Sequence, residues 1–230
     1  MIMNIAEDGT QREVIWEMSD YMTTRVQPTI RAAIFDLGGV IVDIDIDRTP
    51  RAWARSTGLD VEHVRRAFSS DRTYERMERG EIDACAFHAH VQDLLGCTMS
   101  FEEFDRGWNA LYRGLMHGCE DLLASLKREI RLVALTNTNA AHAAWWVPMF
   151  PQLSVFERVF MSHLMGARKP EPAAFGQVLD YLQLPPAQTV FLDDNPDNVA
   201  AGRALGMQAI QVRSIAQAAG ELASLGLLKG

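Results

Sequence analysis

A chain of 230 residues, 48% hydrophobic and 23% charged, has enough apolar material for a full hydrophobic core without cross-links. Its net charge of −8 repels phosphate polyanions, which argues against a general nucleic-acid binder and requires any site for a small phosphate to be locally positive. No apolar stretch approaches the ~20 residues of a membrane span, the first residues lack the basic start and apolar run of a signal peptide, and Cys85, Cys97 and Cys119 show no CxxC spacing, so the expectation is a cytoplasmic protein with reduced thiols.

Residues 1–29 are polar and mixed, an extension with at most one short helix near 11–22, or a disordered one. The run at 31–36, RAAIFD, predicts a buried strand that stops at an acid and is followed by two glycines. From 48 to 117 the spacing is helical almost throughout, with Asp60 as an N-cap and Ser100 with Glu103 as a capping box, giving a bundle of about four helices. After 118 strands and helices alternate. Helix 120–128 precedes strand 131–136, helix 140–147 precedes strand 159–162, and helix 172–182 precedes strand 189–193. Asn195-Pro196 starts the next helix, followed by a strand at 208–212 and a last helix. This order predicts an α/β fold, a doubly wound parallel sheet. The core is residues 30–47 and 118–230, and a helical cap, 48–117, is inserted after the first strand and lies over the strand ends where ligands bind.

Chemistry-bearing residues fall at those ends: Asp36 in FDLGGV, Thr136 in LTNTN, Lys169 in GARKPEP, and Asp193 with Asp194 in FLDDNPDN. Singly, each has an ordinary reading as a turn former, packing residue, surface lysine or helix start. Together they suit phosphoryl transfer. A carboxylate attacks phosphorus, a cation held by carboxylates and a main-chain oxygen reduces the repulsion between two anions, and an ammonium and a hydroxyl stabilise the charge on the phosphoryl oxygens. The cofactor expected is Mg²⁺.

FDLGGV, LTN, RKP and FLDDNPDN, in that order, resemble the four motifs of the haloacid dehalogenase superfamily over about residues 31–215, and the insert resembles its cap. Within the superfamily FDLGGVIVDIDIDR, ERGEID, TNTN, GARKPEP and FLDDNPDN are similar to the bacterial α-D-glucose-1-phosphate phosphatases. The resemblance implies that Asp36 is the nucleophile and a metal ligand, that Thr136 and Lys169 bind phosphate with help from Asn137, and that Asp194, the Gly38 carbonyl and Asp193 complete the metal site. Phosphatases of the superfamily usually have an acid/base Asp two residues after the nucleophile, where this chain has Gly38. Without that acid, a leaving group that departs readily, such as an anomeric sugar oxygen, is favoured, and glucose 1-phosphate is the example expected. Asp43, Asp45 and Asp47 are candidate substitutes, or simply a charged loop.

In the cap, Arg79 between Glu78 and Gly80 is a candidate substrate contact. Trp108, Trp145 and Trp146 read as packing, and His142 as either facing the site or structural. The partner expected is a small phosphorylated molecule, with no nucleic acid and no membrane, bound by a monomer or homodimer. Two other functions fit the motifs: a metal-independent 2-haloacid dehalogenase, compatible with Gly38 but not with paired acids at 193 and 194, and a catalytically silent phosphosugar-binding module.

Overall fold

The computed structural model describes residues 29–69 and 71–228; most of the N-terminal extension, including the stretch 11–22 read as at most one short helix, lies outside them. In chain order the elements are β1 (Ala32–Phe35), β2 (Val42–Ile44), α1 (Arg48–Thr57), α2 (Val61–Ala67), α3 (Arg72–Glu78), α4 (Ala84–Leu95), α5 (Phe101–Trp108) and β3 (Tyr112–Leu115). There follow α6 (Cys119–Leu126), β4 (Arg131–Thr136), α7 (Ala140–Met149), β5 (Val159–Met161), α8 (Ser162–Met165) and α9 (Pro172–Leu182). The chain ends with β6 (Thr189–Asp193), α10 (Pro196–Ala204), β7 (Gln208–Gln211) and α11 (Ile215–Ser224).

Five strands form one sheet in the order β5-β4-β1-β6-β7, every neighbouring pair parallel. A parallel sheet needs apolar cover on both faces, and β1 is buried at every position. Ala33 and Phe35 join the core formed with Leu122 and Leu126 of α6 and Leu222 of α11. Ala32 and Ile34 point the other way, into the core with Phe175 and Val178 of α9. Phe35 is in register with Ala134 and Leu192, which brings Asp36, Thr136 and Asp193 to one edge of the sheet. Among the described residues no helix is long and apolar enough to cross a membrane.

The cap has its own core. The Trp53 ring lies parallel to those of Trp108 and Phe104 at 5.8 and 5.7 Å, and its Nε1 donates to the Phe104 carbonyl at 3.0 Å. Gly107 has to be glycine here, since a Cβ would stand 2.3 Å from Trp53 Cδ1. Asp60, Asp71, Asp83 and Ser100 each accept from a backbone N–H as N-caps. The expectation of helix almost throughout 48–117, with no strand, fails at β3, which pairs antiparallel with β2, Val42 opposite Leu115. The segment YRGL lacks β-branched residues and contains a glycine, so the partner strand rather than local propensity makes it a strand.

Candidate active site

Asp36 follows the central strand, and its N–H donates to the Leu192 carbonyl at 2.8 Å. Lys169, 1% exposed, places Nζ 2.8 Å from Asp36 Oδ1 and 2.6 Å from Asp193 Oδ2. Its backbone is clasped by Asn137, whose Oδ1 accepts from Lys169 N at 2.8 Å while Nδ2 donates to the Lys169 carbonyl at 2.9 Å. The Asn137 side chain therefore positions the lysine, and one N–H of its amide remains beyond that clasp in a residue that lines the cavity. The loop after β4 is tied by Ser162 Oγ, which accepts from Thr138 N at 2.9 Å and donates to the Thr138 carbonyl at 2.8 Å. Thr136 is buried and lines the same cavity as Asp36, Asn137, Lys169 and Asp194, a space of about 230 Å³.

Burial pushes the Asp36 carboxyl up to about 7, with Lys169 pulling it down and the charge of Asp193 pushing it up. Burial works against the Lys169 ammonium, but Asp36 and Asp193 outweigh it and its pKa is raised. Burial, then the charge of Asp193, raises that of Asp194. Three carboxylates thus gather around one ammonium, with ligand oxygens within 4.8 Å of one another. Asp193 already accepts from Lys169, from Asn195 N at 2.9 Å and from Asn198 Nδ2 at 3.1 Å, which leaves Asp36 and Asp194 the less committed pair. Gly39 has φ 79°, and a Cβ there would stand 2.4 Å from Asp194 Oδ2, so the turn makes room for that carboxylate. A cluster of hard oxygen donors with uncompensated negative charge suits Mg²⁺.

Gly38 faces an apolar group: a Cβ there would lie 3.2 Å from Ile44 Cδ1. The candidate substitute acids are engaged elsewhere. Asp43 pairs with Arg113 at 3.5 Å, Asp45 Oδ1 accepts from Asp47 N at 3.1 Å, and Asp47 pairs with Arg65 at 2.6 Å and with Arg51. None of the three lines the cavity.

The structure places Arg79 away from the expected substrate contact. Its Nε donates to Glu171 Oε1 at 2.8 Å and its guanidinium reaches Glu75, and it is not among the residues that line the cavity. It forms half of a charged seam between cap and core. In the other half Arg168 pairs with buried Glu78 at 2.7 Å and with Glu75 at 3.3 Å. Gly80 closes the seam, its missing Cβ 2.3 Å from the His163 carbonyl oxygen. Trp108 belongs to the cap core, Trp145 is exposed, and Trp146 is buried but touches the cavity. Sequence reasoning did not pick out Tyr74 and Tyr112, which line the cavity; the one available signal was the spacing of Tyr74 and Glu78, which places them on one helix face.

His142 faces the site. Its Nδ1 lies 2.8 Å from Asn109 Oδ1, its ring stacks on Trp108 at 4.5 Å, and it lines the cavity. Burial lowers its pKa from 6.5 to about 3. Between those values the unfolded chain binds a proton there that the folded chain does not. Its contribution to stability is therefore whole above pH 6.5 and is lost as pH falls toward 3, at about 1.4 kcal/mol per pH unit. His142→Gln, neutral at every pH, is expected to flatten the acid limb of stability measured by urea unfolding; parallel wild-type and variant limbs would refute this.

A profile described as haloacid dehalogenase-like hydrolase matches residues 30–206. The chain is 27% identical over 188 residues to a D-ribitol-5-phosphate phosphatase of Bacteroides thetaiotaomicron, covering 79% of this chain and 91% of that protein. It is 24% identical to a phosphatase of Mycobacterium tuberculosis, covering 80% and 88%. The crystal structure of a magnesium complex of a HAD family enzyme from Bacteroides thetaiotaomicron superposes with a TM-score of 0.72 at 26% identity, covering 81% and 94%. These matches correct the resemblance to glucose-1-phosphate phosphatases, since a relative matched over most of both chains is named for D-ribitol 5-phosphate. The chain belongs to the haloacid dehalogenase-like hydrolases, as a phosphatase of that family.

Proposed function

We propose that the chain hydrolyses the phosphate monoester of a small sugar or polyol with Mg²⁺, through an aspartyl-phosphate on Asp36. The observation that carries this reading is the buried Lys169 ammonium, held between Asp36 and Asp193 beside Asp194. Asp36, Asp194 and the Gly38 carbonyl would hold the ion, and Asp193 would fix the lysine. A bound divalent ion supplies positive charge that lets one anion approach another and stabilises charge on phosphoryl oxygens.

Lys169 and the Thr136 hydroxyl orient the phosphoryl group. Asp36 Oδ then forms the bond to phosphorus as the bond to the leaving oxygen breaks, and that oxygen leaves with the electron pair. Water next attacks phosphorus, the bond to Asp36 breaks, and the carboxylate and inorganic phosphate are restored. The small cavity favours a metabolite over a macromolecule. Ile44 beside Gly38 provides no proton donor, so esters with better leaving groups are expected to react faster: glucose 1-phosphate ahead of glucose 6-phosphate.

The test is phosphate release from sugar and polyol phosphates, ribitol 5-phosphate among them, with Mg²⁺ and with EDTA. Turnover is expected with the ion and a fall of about 10²-fold or more without it, since the charge stabilisation lost is several kcal/mol. EDTA-resistant halide release from 2-haloacids would favour the dehalogenase instead, and tight binding of sugar phosphates without turnover would favour the silent module. A preference for glucose 6-phosphate over glucose 1-phosphate would reject the leaving-group argument.

A further inference from the structure

We propose that His142 is a specificity-determining residue whose Nε2 accepts a hydrogen bond from a hydroxyl of the leaving group. This rests on the phosphatase reading and adds the part of the substrate beyond the phosphate.

The proton count comes from the cap. Asn109 Nδ2 donates to the Asp105 carbonyl at 3.0 Å and to Asp105 Oδ1 at 3.1 Å. That orientation turns Asn109 Oδ1 toward His142 Nδ1, 2.8 Å away. The amide oxygen has no proton to give, so Nδ1 carries it, and a neutral imidazole then bears a lone pair on Nε2. The low pKa that burial imposes keeps the ring neutral. Nε2 has no hydrogen-bond partner among the described residues, and the buried ring lines the cavity that holds Asp36 and Lys169.

The ring has little freedom to turn. It lies 11° from parallel with Trp108 at 4.5 Å and edge-on to Tyr112 at 5.4 Å, and its backbone N–H is tied to Asn139 Oδ1 at 3.0 Å. A fixed lone pair repels phosphate oxygens and accepts from a hydroxyl. Two tyrosines also line the cavity, Tyr74 on the side of Glu78 and Tyr112 on the side of Thr138. The cap thus sets, through Asp105 and Asn109, the tautomer of a core histidine, and that tautomer selects a hydroxylated substrate.

Two measurements test the proposal. Wild-type kcat/KM is compared for ribitol 5-phosphate, its singly deoxygenated analogues and phenyl phosphate, then repeated with His142→Phe. The variant is expected to lower the ratio of ribitol 5-phosphate to phenyl phosphate about tenfold, the worth of one buried hydrogen bond. One deoxygenated analogue is expected to suffer a similar loss in wild type and almost none further in the variant. An equal fall for both substrates would show a purely structural residue and overturn the proposal. So would a wild type in which no single hydroxyl matters, a result that needs no folded variant. If wild type turns over none of these esters, the phosphatase reading fails separately. Calorimetric binding of ribitol 5-phosphate to Asp36→Asn, with and without His142→Phe, then decides: a Kd weakened about tenfold supports His142, and an equal Kd or no binding to either overturns it.

Discussion

Asp36→Asn is expected to fold, to melt at or above the wild-type temperature in magnesium-free buffer, and to lose turnover by on the order of 10⁵-fold. The amide matches the carboxylate in shape, and its nitrogen and carbonyl oxygen are very poor nucleophiles toward a phosphate ester. Stability is retained because the buried carboxylate is held at an unfavourable price, its pKa pushed up to about 7, while Lys169 keeps Asp193 as a partner at 2.6 Å. Single-turnover phosphate release and a thermal melt read the two halves. Residual turnover above about one per cent would remove Asp36 from the nucleophile's role.

Lys169→Met is expected to abolish turnover and also to destabilise the fold by about 3–5 kcal/mol, the cost of leaving a buried charge unpaired. Asp193 is fully buried and receives its only side-chain cation from Lys169 among the described residues. Methionine fills the volume and removes the charge, so Asp193 must either stay ionised without compensation or take up a proton. Adding Asp193→Asn should restore most of the lost stability, since the amide accepts nothing charged and still reaches Asn198, whereas turnover stays lost. Urea unfolding of wild type, both single variants and the double variant measures this cycle. A single Lys169→Met that costs less than about 1 kcal/mol would show that the pair contributes little to the fold.

The sheet was legible in the sequence because parallel strands covered on both faces are continuous apolar runs, as in RLVALT and TVFLD, and because Gly, Pro and Asn mark their ends. The strand ends then brought together four separated motifs, and the chemistry of those motifs pointed to the site. What the sequence did not reveal depends on contacts between distant segments. Tyr112–Leu115 becomes a strand only against Val42–Ile44. The direction of Arg79 is set by Glu171, 92 residues away in the chain. Asn137 reads as a phosphate ligand in its motif, and its clasp on the Lys169 backbone was not readable there. His142 read as one of two options until Asn109 and Trp108 were seen to fix its ring.

The β2–β3 ribbon has a consequence for how the lid is attached. The chain enters and leaves the helical bundle through strands hydrogen-bonded to each other, with Val42 beside Leu115, so the bundle hangs from one stalk rather than from two separate tethers. A stalk of this kind favours rocking about a single axis over sliding across the mouth of the site. It also makes the bundle a replaceable module: a different insert whose ends lie side by side would graft at the same stalk, given new partners for Arg168 and Glu171, which now pair with Glu78 and Arg79 of the bundle, so that the same chemistry is offered to a different substrate.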